Sequence, residues 1–238
     1  MPNLKSNGRF ASLGAPMLAH EVRTLPQGED WIYEFLWGGE RVRAIKQDGG
    51  VHLISRDGRD FTDRFPRLAA SVARVRARYV VIDGEILSLN AYSPPVIRFL
   101  AEASDECLSG NLALLAFDLL CDEGRDVRDF SLLCRRLLLA STVQATSIVL
   151  SPLIDARSDA ARAASARLGF RGMVAKRAGS AYRPNSLSHD WVKITFALSA
   201  GLPAFSRRMA AFAPPGMRRG AIMSGQSPPT SRRSSGGT

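Results

Sequence analysis

Only four of the 32 basic residues are lysines: Lys5, Lys46, Lys176 and Lys193. That short list matters because an amine attacks an electrophile only when partly deprotonated and held in line. Acids interrupt two otherwise apolar, β-rich runs, Asp83 and Glu85 within Tyr79 to Leu89 and Asp118 within Leu112 to Leu120. Buried strands seldom carry such acids without a task. Taken alone, Asp83-Gly84-Glu85 reads as a strand end capped by a turn. His20, His52 and His189 show no partner spacing and read as surface or internally satisfied side chains. Cys107, Cys121 and Cys134 lie 14 and 13 residues apart without a C-x-x-C pair, so neither a disulfide framework nor a zinc site is indicated. They read as small buried apolar residues.

The elements that must position these residues follow from periodicity. Residues 31 to 56 alternate as extended segments, with a turn at Asp48-Gly49-Gly50, and predict an antiparallel meander. From Pro66, Leu68, Val72 and Val75 recur at helical spacing while Arg67, Arg74, Arg76 and Arg78 take the other face. Leu132 to Leu139 and Ser158 to Leu168 predict helices, the second with Ser158 as N-cap and Gly169 past its end. Met173 to Arg177 and Trp191 to Ile194 read as short strands. Trp31, Trp37 and Trp191 read as core or cleft wall.

Composition bounds the class. With 238 residues, 45% hydrophobic and 23% charged, the chain can bury a core unaided, which excludes global disorder. No run approaches the roughly 18 apolar residues of a spanning helix, so the expectation is a cytoplasmic protein with no membrane partner. The net charge of +10 is uneven: six arginines follow Phe196 with no acid among them, leaving 26 basic against 22 acidic residues before that point, a net +4. A mildly basic body suits a polyanion without demanding one. The reading is an extension over 1–15, a folded domain over 16–196 and a disordered Arg/Pro/Ser/Gly-rich tail over 197–238. The tail's paired arginines fit an out-of-frame translation of GC-rich DNA better than a polybasic arm.

Four segments in order carry a resemblance: DWIYEFLWGGER over 30–41, SRDGRDFTDRFP over 55–66, VVIDGEI over 80–86 with LLAFDLL over 114–120, and GFRGMVAKR over 169–177 running on through AYRPNSLSHDWVKI over 181–194. Together they resemble the adenylation domain of bacterial ATP-dependent DNA ligases of the end-joining type. The resemblance implies an α+β fold, an antiparallel-sheet nucleotidyltransferase enclosing an ATP pocket. It also implies ATP and Mg2+ as cofactors and nicked or broken duplex DNA as partner, with the protein a monomer. The family's lysine, in K-x-D-G-x-R, attacks the α-phosphate of ATP, and AMP then passes to the 5′ phosphate of a nick. By residue, the resemblance gives Glu34 the adenine edge, Phe117 the adenine stack and Arg41 a nucleotide contact. Arg56 falls near ribose or the nick phosphate, Glu85 near ribose and metal, and Lys176 and Lys193 opposite phosphates.

The departures are as specific as the matches. Leu36 stands in the nucleophile slot, Gly38 replaces the motif's Asp, Arg171 replaces the glutamate that would share the metal with Glu85, and Thr195 replaces the second lysine of the final K-x-K. No catalytic residue is therefore intact, and self-adenylation is expected to be absent. Lys46, ten residues past Leu36, could substitute only by a chance placement. An Arg171 to Glu85 ion pair is expected in the metal's place. No OB domain of the family's kind is expected in the tail. The alternatives are a non-catalytic nucleotide- or nicked-DNA-binding protein, residual activity on already adenylated nicks, and the product of a translated pseudogene.

Overall fold

The computed structural model describes residues 13–88, 112–154, 163, 165 and 170–196. The expected tail, nearly all of the N-terminal extension, Cys107 and most of the helix expected over 158–168 lie outside the described residues. Among the described residues, ten strands form two sheets, with two helices packed against them. The first has the order β1-β10-β9-β2, built from β1 (Leu18–Glu21), β2 (Trp31–Leu36), β9 (Gly172–Arg177) and β10 (Leu187–Thr195). The second runs β4-β3-β5-β6-β7, from β3 (Glu40–Gln47), β4 (Gly50–Ser55), β5 (Val80–Ser88), β6 (Leu112–Asp122) and β7 (Arg125–Asp126), with β8 (Val149–Leu150) beside β6. Pairings are antiparallel except β1 with β10 and β6 with β8.

Local chemistry explains the connections. Asp48 and Gly49 have φ of 47° and 80°, the two left-handed residues of a type I′ turn, and they close the β3–β4 hairpin in register Gln47 to Gly50. Glu123 and Gly124, at 44° and 80°, do the same for β6–β7. The expected meander over 31–56 is corrected here. Only β3 and β4 pair as hairpin neighbours, whereas β2 belongs to the other sheet and pairs along its length with β9. Gly38 marks the crossing, its φ of 74° taking the chain out of one sheet and into the other.

Helix α1 (Pro66–Ala73) starts on the φ-locked proline and buries Leu68, Ser71 and Val72. It ends before Val75, which is buried past its end, while Arg67, Arg74, Arg76 and Arg78 are exposed. Helix α2 (Leu132–Val143) is N-capped by Ser131, whose hydroxyl accepts the Cys134 N–H at 3.3 Å. Its inward stripe, Leu132, Arg135, Arg136, Leu139 and Val143, follows helical spacing but includes two arginines. One apolar cluster joins Phe35 of β2 and Trp37 just past its end to the second sheet and both helices; another, including Ile45, Val81, Phe117, Tyr182 and Trp191, ties the sheets together. No helix among the described residues is long and apolar enough to cross a membrane.

Candidate nucleotide site

Between the sheets lies a cavity of about 740 Å³. The first sheet contributes His20, Glu34, Leu36, Val174, Lys176, Trp191 and Lys193; the second and its loops contribute Arg41, Arg56, Glu85 and Phe117. Every site residue assigned by resemblance except Gly38 and Arg171 therefore lines one cavity. Thr195, whose departure was noted with them, is also outside the lining.

Pairing within the strands sets these positions. On β2 and β9, Glu34 lies opposite Val174 and Ile32 opposite Lys176. Glu34 is 3% exposed, and its Oε1 accepts from Lys176 Nζ at 2.9 Å and Arg136 Nη1 at 3.0 Å. The Lys176 ammonium lies 4.4 Å from the ring centroids of both Phe117 and Trp191, within cation–π range. Burial lowers its pKa, with Glu34 opposing and Arg136 reinforcing the shift. Phe117 meets Trp191 edge to face at 6.3 Å. Lys193, on β10, is 4.0 Å from Glu21.

Arg41, in the cavity wall, is held from behind by an acid. Its Nε and Nη2 donate to the two oxygens of the fully buried Asp83 at 3.0 and 2.7 Å, and Tyr182 Oη donates to the same carboxylate at 2.7 Å. Asp83 is thus a structural anchor that fixes Arg41 in the wall. Asp118 serves likewise, held by Arg135 Nε and Nη2 at 2.7 and 2.8 Å with both side chains fully buried. Both acids interrupt apolar strands because each neutralises one arginine, Arg41 partly buried and Arg135 fully buried. Arg135, Arg136 and Tyr182 carry this network and were unassigned in the sequence; the two arginines at inward positions of a leucine-rich helix were the available signal.

Glu85 Oε2 accepts the Gly39 N–H at 2.8 Å, and burial pushes its carboxyl above the usual range, against smaller lowering effects from that hydrogen bond and Arg41. The expected Arg171 to Glu85 pair is not formed: among the described residues the Glu85 carboxylate has no ion-pair partner, and its hydrogen bond goes to Gly39. Arg171 instead lies over Gly38, where an ideal Cβ would fall 2.1 Å from its Cδ. Its backbone N–H donates to the Leu36 carbonyl at 3.2 Å. Lys46 does not enter the cavity; its ammonium donates to the Ala73 and Val75 carbonyls at 2.9 and 2.6 Å, at the C-terminal end of α1.

A raised carboxyl pKa favours the protonated form in the fold, so ionised Glu85 costs stability above that pKa. The cost disappears as pH falls to the unfolded value of 4.5. Glu85→Gln keeps an acceptor for Gly39 and is expected to raise the melting temperature at pH 7 to 8, with the gain shrinking toward pH 4.5. Thermal denaturation across that range checks this; a lower melting temperature for the variant at pH 7 would mean that the carboxylate is a net stabiliser.

Comparison with known proteins follows the same outline. The family model described as ATP dependent DNA ligase domain matches residues 16–195. The multifunctional non-homologous end joining protein LigD of Pseudomonas aeruginosa is 34% identical over 183 residues, covering 76% of this chain and 22% of that protein. The chain thus spans about a fifth of that relative's length. The crystal structure of the ligase domain from Mycobacterium tuberculosis LigD superposes with a TM-score of 0.66 at 33% identity, covering 75% of this chain and 58% of that one. A mycobacterial DNA ligase D complexed with ATP and MES gives 0.65 at 34% identity, covering 76% and 60%.

Proposed function

We propose that this chain, which belongs to the ATP-dependent DNA ligase family, holds an adenine nucleotide between its two sheets but does not attach AMP to itself. The observation that carries the reading is Leu36 in the cavity wall, at the position of the family's nucleophile, with no amine at its register. Forming a phosphoramidate requires a nitrogen lone pair in line with the α-phosphorus. Lys176 faces Ile32, four residues along β2 from Leu36, about 13 Å at the usual strand rise. Lys193 is on β10, separated from β2 by β9, so its strand lies about 9.6 Å away at the usual spacing.

The residues fit a nucleotide. Glu34 would take the adenine edge, Phe117 the ring, and Arg56 and Lys193 the phosphates. The Trp191 indole N–H is buried in the cavity wall with no acceptor among the described residues, a donor left over for a ligand oxygen. They do not fit a divalent cation in the family's manner. Among the described residues no group of three His, Cys, Asp or Glu could hold a metal, and Arg171 stands where the second carboxylate would be. The reading therefore includes nucleotide binding without a magnesium requirement.

Titrating the full chain with ATP in EDTA and in magnesium, followed by tryptophan fluorescence, tests this. Saturable binding of similar affinity in both is expected. Lys193→Ala should weaken it roughly tenfold, the loss of one charge-assisted contact of about 1.5 kcal/mol. Absence of saturation, or strict dependence on magnesium, would contradict the reading. DNA is the second proposed ligand, supported by Arg56 at the cavity and the exposed arginines at and beyond α1; that binding should fall steeply with salt.

A further inference from the structure

The two departures at positions 38 and 171 are in direct contact. An ideal Cβ on Gly38 would lie 2.1 Å from Arg171 Cδ and 3.2 Å from its Cγ and Nε, separations that real side chains cannot share. The space that any side chain at 38 would occupy is filled by the stem of Arg171. The same short stretch carries the site's other connections: Arg171 N–H donates to the Leu36 carbonyl at 3.2 Å, and Gly39 N–H donates to Glu85 at 2.8 Å. Leu36, Trp37, Gly39 and Glu85 line the cavity, whereas Gly38 and Arg171 are not among its lining residues.

We propose that Arg171 and Gly38 are one interdependent unit in which the arginine stem, packed on the bare backbone of Gly38, fixes the turn that presents the Gly39 N–H to Glu85. Arg171 is a positioning residue, acting on the cavity through this turn without lining it. The unit goes beyond the nucleotide reading and does not depend on it. An acid at 38 therefore requires the Arg171 side chain to move aside. The backbone itself is the lesser obstacle, since Asp is among the residues that best tolerate the left-handed region in which Gly38 lies at φ 74°.

A double-mutant cycle in the full chain tests this, with Gly38→Asp, Arg171→Ala and both together, read by thermal melting in EDTA. Gly38→Asp alone should lower the midpoint by roughly 5 to 10 °C, Arg171→Ala by no more than a few degrees, and the double variant should recover most of the loss. If Gly38→Asp does not fold, a soluble, folded double variant is the same result. Equal loss in the single and double variants overturns the coupling. The positioning role has its own readout in Arg171→Ala, where hydrogen exchange at the Gly39 amide should accelerate about tenfold while strand amides of β6 keep their protection. An unchanged Gly39 rate would reduce Arg171 to a space-filling residue and overturn the positioning role.

Discussion

Arg135→Ala is expected to destabilise the domain by roughly 3 to 5 kcal/mol, the range for breaking a buried ion pair by removing one partner. Arg135 is fully buried, and its guanidinium donates to both Asp118 oxygens and to the Phe130 and Ser180 carbonyls at 2.5 and 2.8 Å. Alanine would leave the Asp118 carboxylate inside β6 with one backbone donor, the Leu119 N–H at 2.8 Å. It would also orphan two carbonyls and open a cavity beside α2. For a domain of this size the loss corresponds to a fall of about 10 °C or more in the melting midpoint. Lysine at 135 should rescue little, because a single ammonium cannot reproduce the forked contact. Replacing both partners, Arg135→Met with Asp118→Leu, should cost much less than the alanine variant alone. Thermal and denaturant melts check this; a loss below about 1 kcal/mol for Arg135→Ala would show that water or a rearranged partner satisfies Asp118.

How far these features could be read from the sequence depended on how local their causes are. The β3–β4 hairpin was legible because Asp48-Gly49 suits a left-handed pair, whereas Glu123-Gly124 makes the same turn without advertising it, Glu being an uncommon left-handed residue. Pro66 announced α1, but the periodic Val75 overran its end because burial continues past the last helical turn. The sheet to which β2 belongs was not legible. Its partner β9 lies more than 130 residues away, and periodicity records which face is buried, not which strand is adjacent. Within the site, Glu34, Phe117, Lys176 and Lys193 were named through the family resemblance, and they line one cavity. Arg136, which shares Glu34 with Lys176, had no motif; its signal was a charge on an inward helical position. The partner of Arg171 was also misread: the expectation rested on opposite charge, whereas the contact is the absence of a side chain at Gly38.

Self-adenylation is expected to be absent, the largest functional effect the site implies. Leu36 offers no lone pair, so the first covalent step has no reagent at its place in the wall. None of the described lysines supplies one. Lys46 spends its ammonium on the Ala73 and Val75 carbonyls, outside the cavity. Lys176 is held by Glu34 under Phe117 and Trp191, and Lys193 stands on a strand two removed from β2. Catalysis tolerates misplacement of only about an ångström, so none of these lysines is expected to attack in line from its present place. Restoring Leu36→Lys, Gly38→Asp and Arg171→Glu together should recover at most trace adenylation. The restored lysine and acids would still lack the second lysine at Thr195.

The most direct measurement is incubation of the purified full chain with ATP labelled at the α-phosphate and a divalent cation, followed by denaturing electrophoresis. No labelled protein band is expected, with the same result for Lys46→Ala, while the triple variant gives trace label at most. A band from the unaltered chain that survives denaturation and disappears in Lys46→Ala, Lys176→Ala or Lys193→Ala would contradict that expectation and identify the amine that took over from the missing nucleophile.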